Sequence, residues 1–107
     1  MATIKTAQTK IDVDTVFGVT TTATEVLSAD RGRRSLSIQN VGTTKVYVRF
    51  NAAPVMGGTK YFSYILNPAS GSEEGDGGVL SVDNCGNSVY VATASGTSTV
   101  IATSFVG

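Results

Sequence analysis

The most regular pattern of apolar and polar positions lies in the middle of the chain. Across residues 33–40, leucine and isoleucine alternate with serine and glutamine. Across residues 46–50, valine and phenylalanine alternate with Tyr47 and Arg49. Because successive side chains of a strand point to opposite faces, both segments predict half-buried β-strands. The short polar turn between them predicts that the two strands pair as an antiparallel hairpin.

The same alternation, interrupted by turn-forming residues, recurs along the rest of the chain. It predicts about eight short strands, at 15–22, 24–28, 34–41, 44–50, 60–66, 79–82, 88–93 and 97–105. The last two are predicted to form a second hairpin across residues 94–96. No window carries an apolar stripe of helical period over three turns. The pattern is typical of an all-β protein, a single antiparallel β-sandwich of the jelly-roll or immunoglobulin-like kind.

The first fourteen residues differ from the rest because they are polar, with isolated apolar side chains at Ile4, Ile11 and Val13. They are too thinly apolar to build a core of their own. We expect an extended N-terminal arm over residues 1–14, which is either a loose tail or, as favoured here, an arm that pairs with a partner. The β-sandwich domain is expected over residues 15–107, and a chain of 107 residues is long enough for one such core.

The charge composition favours protein partners. Eight basic and eight acidic residues give a formal net charge of zero, so the field that attracts nucleic acid is missing. Only 15% of residues are charged, and a sparsely charged surface protects poorly against association. The apolar runs fall short of the ~20 residues of a membrane helix, and no signal peptide is visible. We expect a homo-oligomer, a trimer being one option, with no direct nucleic-acid or membrane partner.

The side chains of common catalytic sites are scarce. Histidine is absent, which removes the commonest general base, the usual metal ligand and every Ser-His or Cys-His pair. Cys85 is the single cysteine, and no cation or helix start predicted nearby would lower its pKa. A packed turn residue is the favoured interpretation of Cys85. We expect no catalytic residue, no cofactor and no metal.

An acidic, glycine-rich stretch is the other place where an ion could bind. Glu73, Glu74, Asp76 and Asp83 cluster in sequence, but their spacing is not that of a calcium loop. A solvated loop is favoured over a weak cation site.

Arginines and tyrosines supply the candidate contact residues. The arginines at the turn near residue 32 fit a solvated turn, a subunit contact or, least well, a nucleic-acid contact. The tyrosines alternate with apolar neighbours, which suits an interface and equally suits ordinary cross-strand pairing. The candidate interface residues are Ile4, Ile11, Val13, Arg31, Arg33, Arg34, Tyr47, Arg49 and Tyr90.

The order of the strand motifs carries a resemblance over about residues 25–105. The motifs are RRSLSIQN at 33–40, VYVRF at 46–50, YILNP at 64–68, GVLSV at 78–82, SVYVA at 88–92 and GTSTV at 96–100. In this order they resemble small β-sandwich virion proteins of tailed bacteriophages.

The resemblance implies a structural protein of the virus particle, without catalytic residues. It implies a capsid decoration or cement protein, made in the host cytoplasm and bound to the outside of the shell. Its partners would be the major capsid protein or other virion proteins, with the arm adding a strand to an exposed sheet edge. The alternatives are a neck or tail component, a carbohydrate-binding module using loops 51–59 and 70–78 with Tyr61 or Tyr64, and a small enzyme.

Overall fold

The computed structural model describes residues 10–58, 60–70 and 76–106, and no α-helix occurs in these ranges. No helix among these residues has the length and apolar character needed to cross a membrane. The eight strands are β1 Lys10–Val19, β2 Thr24–Leu27, β3 Arg33–Asn40, β4 Val46–Phe50, β5 Tyr64–Leu66, β6 Val79–Asp83, β7 Val89–Ala92 and β8 Ser98–Val106.

The strands form two four-stranded antiparallel sheets. The first sheet has the order β1-β8-β3-β6, and the second has the order β2-β7-β4-β5. The chain passes from one sheet to the other at most connections, which is the strand order of a jelly roll. The predicted all-β sandwich of eight strands is confirmed, and of its two predicted types the topology is the jelly roll.

Both predicted hairpins are wrong. β3 pairs with β6 and β8, whereas β4 pairs with β5 and β7 in the other sheet. β7 and β8 are likewise in different sheets. Alternation along a strand reports which face is buried and not which strand lies beside it. The connections at 41–45 and 93–97 are long enough to cross the roughly 10 Å between packed sheets.

The core lies between the sheets and consists mainly of valine, leucine and isoleucine. The alternation at β3 and β4 gives the expected result, because Leu36, Ile38, Val46 and Val48 are all fully buried. The core residues are Val19, Val26, Leu27, Leu36, Ile38, Val46, Val48, Leu66, Leu80, Val89, Val91, Val100 and Ala102.

The first strand begins earlier than the sequence predicts. β1 starts at Lys10 and pairs with β8, with Lys10 opposite Val106 and Val19 opposite Ser98. Residues 10–14 of the predicted arm are thus part of the first sheet, although the side chains of Ile11 and Val13 are not described. Ile4 lies outside the described residues.

The segment predicted as a long strand at 60–66 is a strand only from Tyr64. Before it, Val55 and Tyr61 exchange backbone hydrogen bonds within the loop that joins β4 to β5. Pro54 lies in this loop and is buried. This loop lies at the same end of the sandwich as the turn between β6 and β7, because the Asn51 amide donates to the Ser88 carbonyl.

A buried asparagine holds one end of the sandwich together. Asn40, the last residue of β3, is completely buried. Its Nδ2 donates to the carbonyls of Thr44 at 2.8 Å and Leu66 at 3.0 Å, and its Oδ1 accepts from the Gly42 amide at 3.0 Å and the Ser98 hydroxyl at 2.7 Å. The side chain therefore joins the β3–β4 connection, the end of β5 and the start of β8 through two donated and two accepted hydrogen bonds.

The backbone is also tightly packed at the Asn40 end of the sandwich. A Cβ at Gly77 would lie 1.7 Å from the Asn40 carbonyl oxygen, so only glycine fits this position.

A buried arginine has the equivalent role at the other end of β3. Arg33 is 6% exposed, and its guanidinium donates to the Ser104 hydroxyl at 3.1 Å, the Asn87 carbonyl at 2.9 Å and the Ser28 carbonyl at 2.5 Å. Its donors thus join β8, the β6–β7 turn and the end of β2. The prediction that Arg33 belongs to an interface is corrected by this burial, because its planar fork is directed at carbonyls of its own chain.

Candidate protein interface

The outer surface of the second sheet carries a group of aromatic side chains, of which Tyr61 is exposed and Tyr47, Phe62 and Tyr90 are half-buried. Since alternate residues of β4 and β7 fill the core, the residues between them face outward. The β4–β5 loop adds further rings beside them. We call this surface the aromatic face, and it consists of Glu25, Tyr47, Arg49, Tyr61, Phe62, Ile65 and Tyr90.

A row of three side chains crosses the middle of the aromatic face. Tyr90 of β7 is the register partner of Glu25 in β2 and of Arg49 in β4. Side chains directly opposite each other on neighbouring strands have Cβ atoms about 4.5–5.5 Å apart. We call these three residues the central row. It is acidic at the Glu25 end and basic at the Arg49 end.

The aromatic side chains are held in place by one another. The rings of Tyr47 and Phe62 meet edge to face, with centroids 5.0 Å apart. The Arg49 guanidinium lies over the Tyr61 ring at 5.0 Å and donates to the Ala53 carbonyl at 3.2 Å. An exposed cation–π contact is worth about 0.5–1 kcal/mol. Tyr61 nevertheless remains 52% exposed, so the face is organised without being covered.

Glu25 and Tyr90 are coupled electrostatically. The Glu25 carboxylate, as a hydrogen-bond acceptor and a negative charge beside the Tyr90 phenol, raises the pKa of Tyr90 above its ordinary value. The neutral phenol is favoured because ionisation would remove the donor and place two negative charges side by side.

Replacing Glu25 by glutamine is expected to lower the pKa of Tyr90 toward that of a free tyrosine. The amide keeps the shape but loses the charge that opposes phenolate formation. A titration of phenolate absorbance measures the change, and Tyr90→Phe identifies the tyrosine concerned. The matched control is Asp83→Asn on the first sheet, which should leave the curve unchanged. Identical titrations of Glu25→Gln and the parent protein would contradict the coupling.

The structure brings together three of the predicted interface residues and places Arg31, Arg33 and Arg34 apart from them. Tyr47, Arg49 and Tyr90 share the aromatic face. Arg31 and Arg34 are exposed but lie elsewhere, at the start of β3 in the first sheet. Arg34 lines an open cleft of about 270 Å³ together with Ser35, Asp83 and Asn84.

The two loops of the predicted carbohydrate site are at opposite ends of the sandwich. The described residues of the β5–β6 connection lie at the Asn40 end, where the Ala69 amide donates to Gly42 and the Asn40 amide donates to Gly78. The β4–β5 loop lies at the Arg33 end. The described parts of loops 51–59 and 70–78 therefore cannot form one binding site.

The acidic loop and the cysteine show ordinary local contacts. Glu73 and Glu74 lie outside the described residues. The Asp76 carboxylate accepts a hydrogen bond from the Ser70 amide at 2.7 Å, which lowers the pKa of Asp76. The described residues include no group of three side chains suited to a metal ion.

Cys85 is half-buried and packs against the core, as a packed turn residue should.

Sequence reasoning missed Glu25, Phe62 and Ile65 as members of the aromatic face. Ile65 follows from the alternation of β5, since Leu66 is buried and its neighbour must face outward. Glu25 could not be placed because its neighbour in space, Tyr90, is known only from the pairing of β2 with β7.

The outer surface of the first sheet was missed as well. Val16 and Val79 are 64% and 58% exposed there, among serine and threonine side chains. The two valines lie on opposite edge strands of one cross-strand row, which runs Val16, Ile101, Gln39 and Val79. Gln39 separates Val79 from the other two apolar side chains.

Comparisons with known proteins establish no family. No model of a known protein family matches the chain, and no curated protein matches it. The chain is similar to a solved chain of the Bacillus endospore appendages, a family of disulfide-linked pili. The two are 15% identical, the match covers 99% of this chain and 96% of the other, and the TM-score is 0.49. At this distance the similarity carries no inference about function.

Proposed function

We propose that this protein is a non-catalytic structural protein that works by adhesion to other proteins, and that the aromatic face is its binding surface. The observation that carries the proposal is the aromatic face itself. It places three tyrosines, a phenylalanine and an arginine on one side of a rigid sheet.

The composition of the face fits a protein interface. Tyrosine, phenylalanine and arginine are enriched in interfaces, and tyrosine and arginine supply many of the residues on which affinity depends most. The contacts of Tyr47 with Phe62 and of Arg49 with Tyr61 fix these side chains before binding. Binding then costs less side-chain entropy than it would on a surface of free rotamers.

We further propose that the adhesion serves a virus particle, with the protein decorating the outside of the capsid of a tailed bacteriophage. The resemblance of the strand motifs supports this proposal. Many copies bound side by side gain from effective concentration, so modest individual contacts suffice to strengthen a shell. A neck or tail component would use the same face at a few positions of the particle.

The test is attachment to particles that lack the protein. Parent protein added to such particles should co-sediment with them in many copies. Combining Tyr47→Ser with Tyr90→Ser should weaken binding about a hundredfold, since each loss of about 1.4 kcal/mol reduces affinity tenfold. The bound copies are counted at a fixed free concentration.

Tyr64→Ser is the matched control. Tyr64 is 45% exposed but lies opposite core-facing Val48, on the other side of the same sheet. The Tyr64→Ser variant should bind particles as the parent protein does. Equal binding by the control and by the double variant would contradict a role for the aromatic face, and no binding by the parent would contradict the capsid proposal.

A further inference from the structure

We infer that the partner of the aromatic face is a second copy of this chain, bound face to face around a two-fold axis that runs along β7 at Tyr90. This inference rests on the proposed function, because it names the partner of the same face. The Tyr47 and Tyr90 variants would then weaken attachment to particles by separating the two copies of a bivalent dimer, whose other surfaces contact the particle. The observation behind it is the arrangement of charge along the central row.

The central row is antisymmetric in charge about its middle residue. Glu25 lies one strand to one side of Tyr90, and Arg49 lies one strand to the other. Neighbouring strands are about 4.8 Å apart, so the backbone positions of Glu25 and Arg49 are at similar distances from that of Tyr90. A two-fold axis parallel to β7 reverses the strand order and places β2 of one copy against β4 of the other.

This rotation pairs every member of the central row with a complementary group. Glu25 of each copy faces Arg49 of the other, and the two Tyr90 rings meet at the axis. A symmetric dimer uses the same patch on both subunits, so the patch must be complementary to itself. Sheets that pack face to face also keep their strands within about 30° of each other, which such an axis allows.

The groups that would form the new contacts are available. The Arg49 guanidinium has five N–H groups, and within the described residues its hydrogen bond goes to Ala53. Continued by one residue beyond β2, the register of Thr24 with Val91 would place Ala23 beside Ala92, at the level of Tyr47. The small side chain of Ala23 leaves room for the Tyr47 ring of the second copy.

Charge reversal tests whether Glu25 of one copy faces Arg49 of the other. Glu25→Arg alone places two arginines opposite each other, and Arg49→Glu alone places two glutamates opposite each other. Each variant should dimerise at least tenfold more weakly than the parent in sedimentation equilibrium. Mixed one to one, they restore both opposite-charge pairs and should form a heterodimer.

Arg34→Glu and Asp83→Arg are the matched controls, because they make the same charge changes at exposed positions of the first sheet. Both should dimerise as the parent does, and circular dichroism checks that every variant is folded. A parent protein that is monomeric at all concentrations, or single variants that stay monomeric when mixed, would overturn the inference. A monomeric parent whose attachment to particles still depends on Tyr47 and Tyr90 would overturn the dimer and leave the proposed function standing.

Discussion

Replacing Asn40 by aspartate is expected to destabilise the sandwich by about 3–5 kcal/mol at neutral pH. The two side chains have nearly the same shape, so the effect isolates hydrogen bonding from packing. The Asn40 amide is completely buried, and its two N–H groups donate to the carbonyls of Thr44 and Leu66. A carboxylate would present an acceptor to these two acceptors and would bury a charge.

The loss should depend on pH in a defined direction. Burial and the facing carbonyls favour the protonated form, so the pKa of the introduced aspartate is raised in the folded state above its unfolded value of about 3.9. Below the unfolded value both states are protonated and the charge penalty is absent. The penalty grows as the pH rises from there through the folded-state pKa.

Urea unfolding at about pH 4.5 and about pH 7 measures both effects. Asn67→Asp is the matched control, since Asn67 is exposed at the same end of the sandwich. It should change the free energy of unfolding by no more than about 0.5 kcal/mol. Equal losses in the two variants would show that the amide network of Asn40 is not needed.

Removing the Arg33 guanidinium is expected to cost about 3–5 kcal/mol of unfolding free energy. Arg33→Met keeps much of the aliphatic stem but leaves the carbonyls of Ser28 and Asn87 and the hydroxyl of Ser104 without their donor. Each buried polar group left unpaired costs about 1–3 kcal/mol. Thermal or urea unfolding gives the value.

Arg33→Lys separates charge from geometry. Lysine keeps the positive charge, but its three donors sit on one nitrogen and cannot replace the planar fork that reaches three chain segments. It should therefore recover only a minor part of the loss. Arg34→Met is the control, because Arg34 is the exposed neighbour and should cost no more than about 0.5 kcal/mol. Full recovery by lysine would mean that only the charge matters.

The alternating pattern was sufficient to predict the strands and their buried faces, and it failed where information is non-local. Leu36 and Ile38 are buried as expected, because burial of one strand face follows from the period of two. The pairing of β3 with β8 involves residues at least 60 positions apart, and no local signal specifies it. A hairpin was predicted instead, because a short polar turn has the same appearance whether the chain turns back or crosses to the other sheet.

The burial of polar residues could not be predicted for a related reason. Arg33 stands beside exposed Arg34, and composition does not distinguish the two. Its burial depends on carbonyls at Ser28 and Asn87 that become neighbours only in the folded chain. The aromatic face was half predicted, since Tyr47, Arg49 and Tyr90 were chosen from alternation, whereas Glu25 joins them only through the register of β2 with β7.

The buried residues and the exposed face belong to one physical account. Asn40 and Arg33 fix the connections at the two ends of β3, and β4 and β7 run between these ends. A rigid sheet lets Tyr47, Arg49 and Tyr90 be presented in a constant arrangement. The face can then bind a protein without first ordering its own side chains.

Hydroxyl-radical footprinting of the tyrosines, comparing dilute protein with concentrated or particle-bound protein, shows whether the aromatic face is buried on assembly. Tyr47 and Tyr90 should become protected in the assembled state, while Tyr64, on the other side of the same sheet, should be modified equally in both. Protection of Tyr64 alone, or equal modification of all three tyrosines in every state, would contradict the claim that this protein adheres through its aromatic face.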